Sequence, residues 1–279
     1  MKNVVKIFLL FNLFVAFSVS AQKDSVKVDL KAKKDTVNTS KPKDKKPDKI
    51  QPFDKVITSK AISDEGIITV HKVEDKYYFE IPDQSLKKEF LVVTRLTKAG
   101  AEMRMGTVGY AGDQISQNVI SFEKGPNDKF FLRSISYVDY AKDSTSAMYK
   151  TVMRNNVNAI EQAFDIKAFG KDKKSTVIEV TDFINADNDV VSFDSNVKKG
   201  FKVGAIQKDK SFINFIKSFP GNIEINTTKT FSRSAGDAST VPGAPKPEVS
   251  GNYTVEVNSS IILLPENKMQ ARYFDPRVG

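Results

Sequence analysis

The sequence predicts a mainly β protein, with antiparallel hairpins forming one or two packed β-rich subdomains and a few short helices. Three observations carry this. From Phe53 onward apolar residues come in short runs rich in Val, Ile, Phe, Tyr and Thr, the side chains that fit a pleated, half-buried surface. Clusters of Gly, Pro, Asn and Asp separate the runs. "YTVEVNSSIILL" sets Tyr253, Val255 and Val257 against Thr254, Glu256 and Asn258, the period of a strand with one buried face.

In chain order, "IITVHKV" and "KYYFEIP" flank Glu74-Asp75 and predict a tight hairpin. Pro82 opens a single helical turn over "PDQSLKK", and "EFLVVTRL" (89–96) follows as a buried strand. "ISQNVISFEKG" and "KFFLRSISYVDYA" flank "PND" as a second hairpin; "AFDIKAFG" and "STVIEVTDFI" flank "KDKK" as a third. "NIEINTTKTF" is a further strand. Helical spacing is expected in "SAMYKTVMRNNVNAIEQAF" (146–164) and near "KSFINFIKSF". The small-residue and Pro-rich stretch 232–251 reads as a long exposed loop between two strands.

The first 21 residues read as a secretory signal peptide. Lys2 and Lys6 precede the apolar run Ile7 to Phe17, and Val19 and Ala21 stand where a signal peptidase reads. The run is too short to span a bilayer comfortably, so the exported chain is expected to carry no transmembrane segment after cleavage and to be periplasmic or extracellular. Gln22 follows the cleavage point, so no lipidated Cys is available, and a chain without Cys forms no disulfide. An apolar core must hold the fold.

The net charge of +9 is unevenly placed. Residues 22–60 hold twelve Lys and six Asp, and the signal peptide adds two Lys; removing both surpluses from +9 leaves +1 for residues 61–279. The body therefore lacks the broad basic footprint nucleic acid requires, and no nucleic-acid partner is expected. Residues 22–52 have few large apolar side chains and read as a disordered Lys-rich tether. Beyond it the expected divisions are a small β module over 53–100 and a β-rich accessory domain over 101–279.

His71 is the single histidine. Catalytic zinc usually takes two or three His, and with no second His and no Cys a site would need three carboxylates around His71. No G-x-S-x-G marks a nucleophile for a Ser-His-Asp relay. His71 is expected at the edge of the core, sharing a strand face with Ile67, Thr69 and Val73. "MGTVGYAGDQ" brings Gly106, Gly109 and Gly112 close together, without dinucleotide-binding spacing; it reads as a turn with close backbone packing, an anion nest being the functional alternative. "DFINADNDV" gathers Asp182, Asp187, Asp189, Asn185 and Asn188, but Val190 stands where a calcium loop needs Gly, so a solvated turn is expected. No catalytic, cofactor-binding or metal-ligating residue is assigned.

Several stretches together resemble a known family: "GIITVHKVEDKYYFEIP", "FLVVTRL", "GYAGDQISQNVISFEKGPNDKFFLR", "SFPGNIEI" and "NSSIILLPENKMQARYFDPRVG". They resemble the N-terminal region of large secreted bacterial zinc-dependent metallopeptidases, in which two uncharacterised domains precede a metzincin-like catalytic domain. The likeness covers Phe53 to Gly279 and implies a non-catalytic accessory region, truncated within "RYFDPRVG". The His-Glu-x-x-His zinc site would lie in the missing catalytic domain, which would be both the partner and the sole holder of zinc. The second reading is a stand-alone extracytoplasmic β-rich module for a cell-surface glycan, peptide or protein.

Overall fold

Alternating burial sets the strands, and short turns of two to five residues join several of them. The computed structural model describes residues 50–101, 103, 104, 106–139, 141, 143–233, 251–267, 269 and 277; the signal peptide, nearly all of the tether and the centre of the 232–251 loop lie outside the described residues. After the short helix α1 (Phe53–Val56) come β1 (Ile62–Asp64), β2 (Thr69–Val73) and β3 (Lys76–Pro82). A single 3-10 turn over Asp83–Ser85 follows Pro82, then β4 (Glu89–Lys98), β5 (Gln114–Lys124) and β6 (Lys129–Ser134). Next are α2 (Ala147–Asn155), β7 (Ile160–Phe169), β8 (Ser175–Glu179), α3 (Thr181–Asn185) and α4 (Ser195–Phe201). The chain continues through β9 (Val203–Ile206), β10 (Phe212–Ser218), β11 (Asn222–Arg233) and β12 (Asn252–Leu263).

All three expected hairpins form. Val73 pairs with Lys76 around Glu74-Asp75. Asn127 and Asp128 both take positive φ between β5 and β6, the backbone that matches the twist of a tight hairpin. The strands form one antiparallel sheet in the order β1-β2-β3-β8-β7-β6-β5-β4-β12-β11-β10, with β9 beside β11. β4 therefore lies between β5 and β12, while β1 to β3 continue the sheet beyond β8.

The two ends of this path meet. Ile67 donates its amide to the Phe219 carbonyl (2.9 Å), the Ser218 amide donates to Asp64 (3.0 Å), and the Ser218 hydroxyl donates to the Ile68 carbonyl (2.6 Å). The sheet thus curls into a barrel-like wall, which covers edges that would otherwise invite another chain. One core cluster draws on both ends of the path, from Ile68 and Phe79 through Phe90 and Phe122 to Ile216 and Ile225. Ile184, Val190 and Val191 from α3 and its following loop plug it. The void left there is about 10 Å³, no more than one water requires, so this part of the core is filled among the described residues. A second cluster, including Leu96, Phe193, Phe201, Phe231 and Val257, fills the region under α4.

Four expected elements differ. "TDFI" is not strand: β8 ends at Glu179, and Val180, Phe183 and Ile184 reach the core at the i, i+3, i+4 spacing of a helix. "KSFINFIKSF" is strand β10 rather than helix. A bulge between Ile213 and Phe215 shifts the alternation, so inward positions fall three apart at Ile213 and Ile216 and imitate helical spacing. The helix expected over 146–164 stops at Asn155, and β7 takes over with Phe164, Ile166 and Ala168 alternating inward. β6 also ends at Ser134, short of the expected run.

Candidate functional site

His71 is only 5% exposed and both its ring nitrogens are engaged. Strand pairing places Ser63 on β1 directly opposite it, and Nδ1 lies 2.7 Å from the Ser63 hydroxyl. On the other side Nε2 lies 2.9 Å from Glu80 of β3. Ser175 of β8 donates its hydroxyl to the second Glu80 oxygen. Gly170 leaves room for this contact: a side chain there would meet Glu80 at 2.6 Å and the Ser175 hydroxyl closer still. The Phe53 ring stands edge-on to the imidazole at 6.0 Å. The hydrogen bond from His71 is the main influence on Glu80 and holds its carboxyl below the ordinary range; burial opposes the shift and Ser175 adds to it.

Two open clefts flank α1. One of about 660 Å³ is lined by Phe53, Thr69, Glu80, Lys171, Lys174 and Ser175. The other, of about 550 Å³, is lined by Lys55, Val56, Lys76, Tyr78, Lys167 and Glu179 among others. The hydroxyl, imidazole and carboxylate series is also the grouping of nucleophilic hydrolases. Such chemistry further requires backbone amides aimed at a developing oxyanion. Here the Ile67 and Ser218 amides beside β1 are committed to Phe219 and Asp64. We read Ser63, His71, Glu80 and Ser175 as a clasp joining β1, β2, β3 and β8. Glu80→Leu is expected to cost about 1–3 kcal/mol at neutral pH, because it strands His71 and Ser175. A carboxylate with a lowered folded pKa contributes stability above its unfolded value and loses it as pH falls through the folded value. The gap between variant and native urea midpoints should therefore be widest near neutrality and shrink in acid.

Most of the other sequence candidates are also engaged internally, whereas the buried Asn185 Oδ1 takes no hydrogen bond among the described residues. Gly106, Gly109 and Gly112 all take positive φ, and the Gly109 and Tyr110 amides point at one acceptor. That acceptor is Asp113 of the same turn, at 2.7 and 2.9 Å, so the anion nest is filled by the chain's own carboxylate. In the Asp- and Asn-rich loop, Asn188 accepts from the Val190 and Val191 amides and donates to the Phe183 carbonyl. Asp187 pairs with Lys198. The Ile184 and Ala186 carbonyls receive the Lys229 amine at 2.8 and 2.7 Å, so a side-chain donor stands where loop oxygens would otherwise face a metal. Among the described residues, no three His, Asp or Glu side chains gather as a ligand set. No described helix is long and apolar enough to cross a membrane.

Lys229 is the residue sequence reasoning missed. It is fully buried, and burial lowers its pKa to about 7, with Asp187 raising it and Lys198 lowering it further. A signal existed: in "NIEINTTKTF" Lys229 occupies an inward position, in step with Ile223, Ile225, Thr227 and Phe231.

These features define a filled antiparallel β wall, plugged by short helices, whose singled-out polar groups serve its own strands and loops. Residues 112–279 match the family model described as domain of unknown function DUF5117, and residues 50–99 match domain of unknown function DUF5118. The first match spans more than half of the chain, which therefore belongs to the DUF5117 family. No curated protein matches the chain, and no solved structure does.

Proposed function

We propose that this chain is the non-catalytic N-terminal accessory region of an exported zinc-dependent metallopeptidase-like protein, whose zinc belongs to a following catalytic domain. The segment resemblance from Phe53 to Gly279 supports the reading. The observation that carries it is the commitment of both His71 nitrogens to Ser63 and Glu80, which withdraws the chain's one imidazole from metal binding. In a complete protein such a region would position substrate, cover the zinc cleft or assist folding of the catalytic domain. Pairing of β4 with β5 and β12 joins the two family segments in one sheet, which suits a rigid platform.

The purified chain, incubated with zinc and desalted, should retain far less than one equivalent by elemental analysis. It should also show no chelator-sensitive cleavage of casein. One tightly held zinc accompanied by such cleavage would overturn the reading. So would a gene whose frame beyond the Gly279 codon in complete relatives encodes no His-Glu-x-x-His segment.

A further inference from the structure

The outer face of β10, β11, β12, β4 and β5 carries a pattern that the core does not explain. The bulge in β10 turns Asn214 and Phe215 to the same side, so Phe212, Asn214, Phe215 and Lys217 all face outward. Phe212 is 55% exposed and Phe215 is 44% exposed. A strand that obeyed simple alternation would have hidden one of these rings or shortened the row. Bulges re-aim side chains in this way beside binding sites.

Next to the rings stands a field of amides, hydroxyls and carboxylates. Register places Phe215, Asn226, Asn258, Arg95 and Gln114 in one line across five strands. At the usual strand spacing that line is about 19 Å long. Glu224 fixes the centre, accepting from Asn222 (2.6 Å), Asn258 (2.5 Å) and the Ser260 hydroxyl (2.7 Å). Asn214 donates to Asn226 (2.7 Å) and Thr228 (3.1 Å). Beyond β12, Gln114 accepts from Arg95 and donates to Gln117. The side chains are therefore held in place before any ligand arrives. Capacity remains: among the described residues the Asn258 carbonyl oxygen takes no protein partner, while Asn226, only 8% exposed, anchors Asn214.

We propose that this face binds a neutral oligosaccharide lying across the strands from Phe215 toward Gln114. A pyranose ring has an apolar C–H face and a rim of hydroxyls that both donate and accept. Exposed Phe rings suit the first, and a preset row of amides suits the second. Most charges on this face are balanced, Lys98 being paired with Glu256 at 2.7 Å and Lys217 standing opposite Glu224; Arg95, the exposed cation in the row, bonds only the neutral Gln114 and can donate to sugar hydroxyls. A partner protein would more often be met by a contiguous apolar patch, and here the rings lie at one end of a polar row. The inference is independent of the accessory reading above, since either can fail alone.

The test is titration of the isotope-labelled chain with cellohexaose, laminarihexaose and mannohexaose, followed by amide chemical shifts. At least one sugar should bind with a Kd of about 1 mM or tighter and shift resonances of β10, β11, β12 and β4. Phe215→Ala and Asn258→Ala should each weaken that binding about tenfold with unchanged circular dichroism. Tyr149→Ala on α2 should leave it unchanged. No shift on the outer face with any of the three sugars would overturn the proposal. Equally contrary would be shifts confined to the clefts beside α1, or dimerisation through β10, lost in Phe215→Ala, without sugar binding.

Discussion

Gly66→Val is expected to cost about 3 kcal/mol or more and to loosen the seam where the sheet closes. Gly66 lies where the loop before β2 crosses the end of β10. A Cβ there would stand 2.6 Å from the Phe219 carbonyl and 2.7 Å from its amide, with the Ser218 hydroxyl closer still. Real Cβ atoms do not approach a backbone so closely, and both obstacles are main chain just past the end of β10, where the Phe219 amide donates to the Asn222 carbonyl. The substitution must move either Ile67, which donates to Phe219, or Ser218, which holds Asp64 and Ile68. Each of these hydrogen bonds then opens together with the burial of Ile68. Urea unfolding should show the lower midpoint, and hydrogen exchange should show faster exchange at Ile67 and Ser218 than in the rest of the sheet. Gly66 does not take a positive φ, so the loss would be one of space alone. Gly66→Ala should then give a smaller loss in the same direction. A native midpoint for the valine variant would show that the two ends of the sheet do not depend on each other.

That seam is the part of the fold least visible in the sequence. Hairpins announce themselves locally: Asn127-Asp128 and Glu74-Asp75 mark their turns, and β12 alternates without interruption. Contacts between residues about 150 positions apart, such as Ser218 with Ile68, leave no local trace. The bulge in β10 was hidden for another reason, since its three-residue spacing carries the signature of a helix. α3 was the converse case, with Val180, Phe183 and Ile184 at helical spacing inside a β-branched context. His71 was half legible. Once the turn at Glu74-Asp75 is fixed, antiparallel register puts Tyr78 opposite it and Glu80 diagonally beside it. Ser63 depends on the pairing of a three-residue edge strand that has no marked turn.

Lys229 should make stability climb with pH above neutrality. Its folded pKa of about 7 lies below the ordinary 10.5. Between those values the unfolded chain holds a proton that the native chain has released, so raising pH favours the native state, with a slope approaching about 1.4 kcal/mol per pH unit. Below about pH 7 both states are protonated and the slope disappears, leaving the cost of burying the ammonium in full. The surroundings fit either form. A neutral amine keeps two N–H donors for the Ile184 and Ala186 carbonyls, whereas the ammonium has a third that meets no acceptor among the described residues. Lys229→Met should abolish the slope while retaining the fold, since methionine fills similar space beside the core, although the two carbonyls lose their donor. Lys198 lowers the Lys229 pKa, so Lys198→Met should move the onset of the rise to higher pH. Unfolding in urea at intervals from pH 6 to pH 10 reads all three proteins. A native profile that stays flat, or a slope that survives in Lys229→Met, would mean that the amine keeps its proton inside the barrel and that Asp187 and the loop carbonyls outweigh desolvation there.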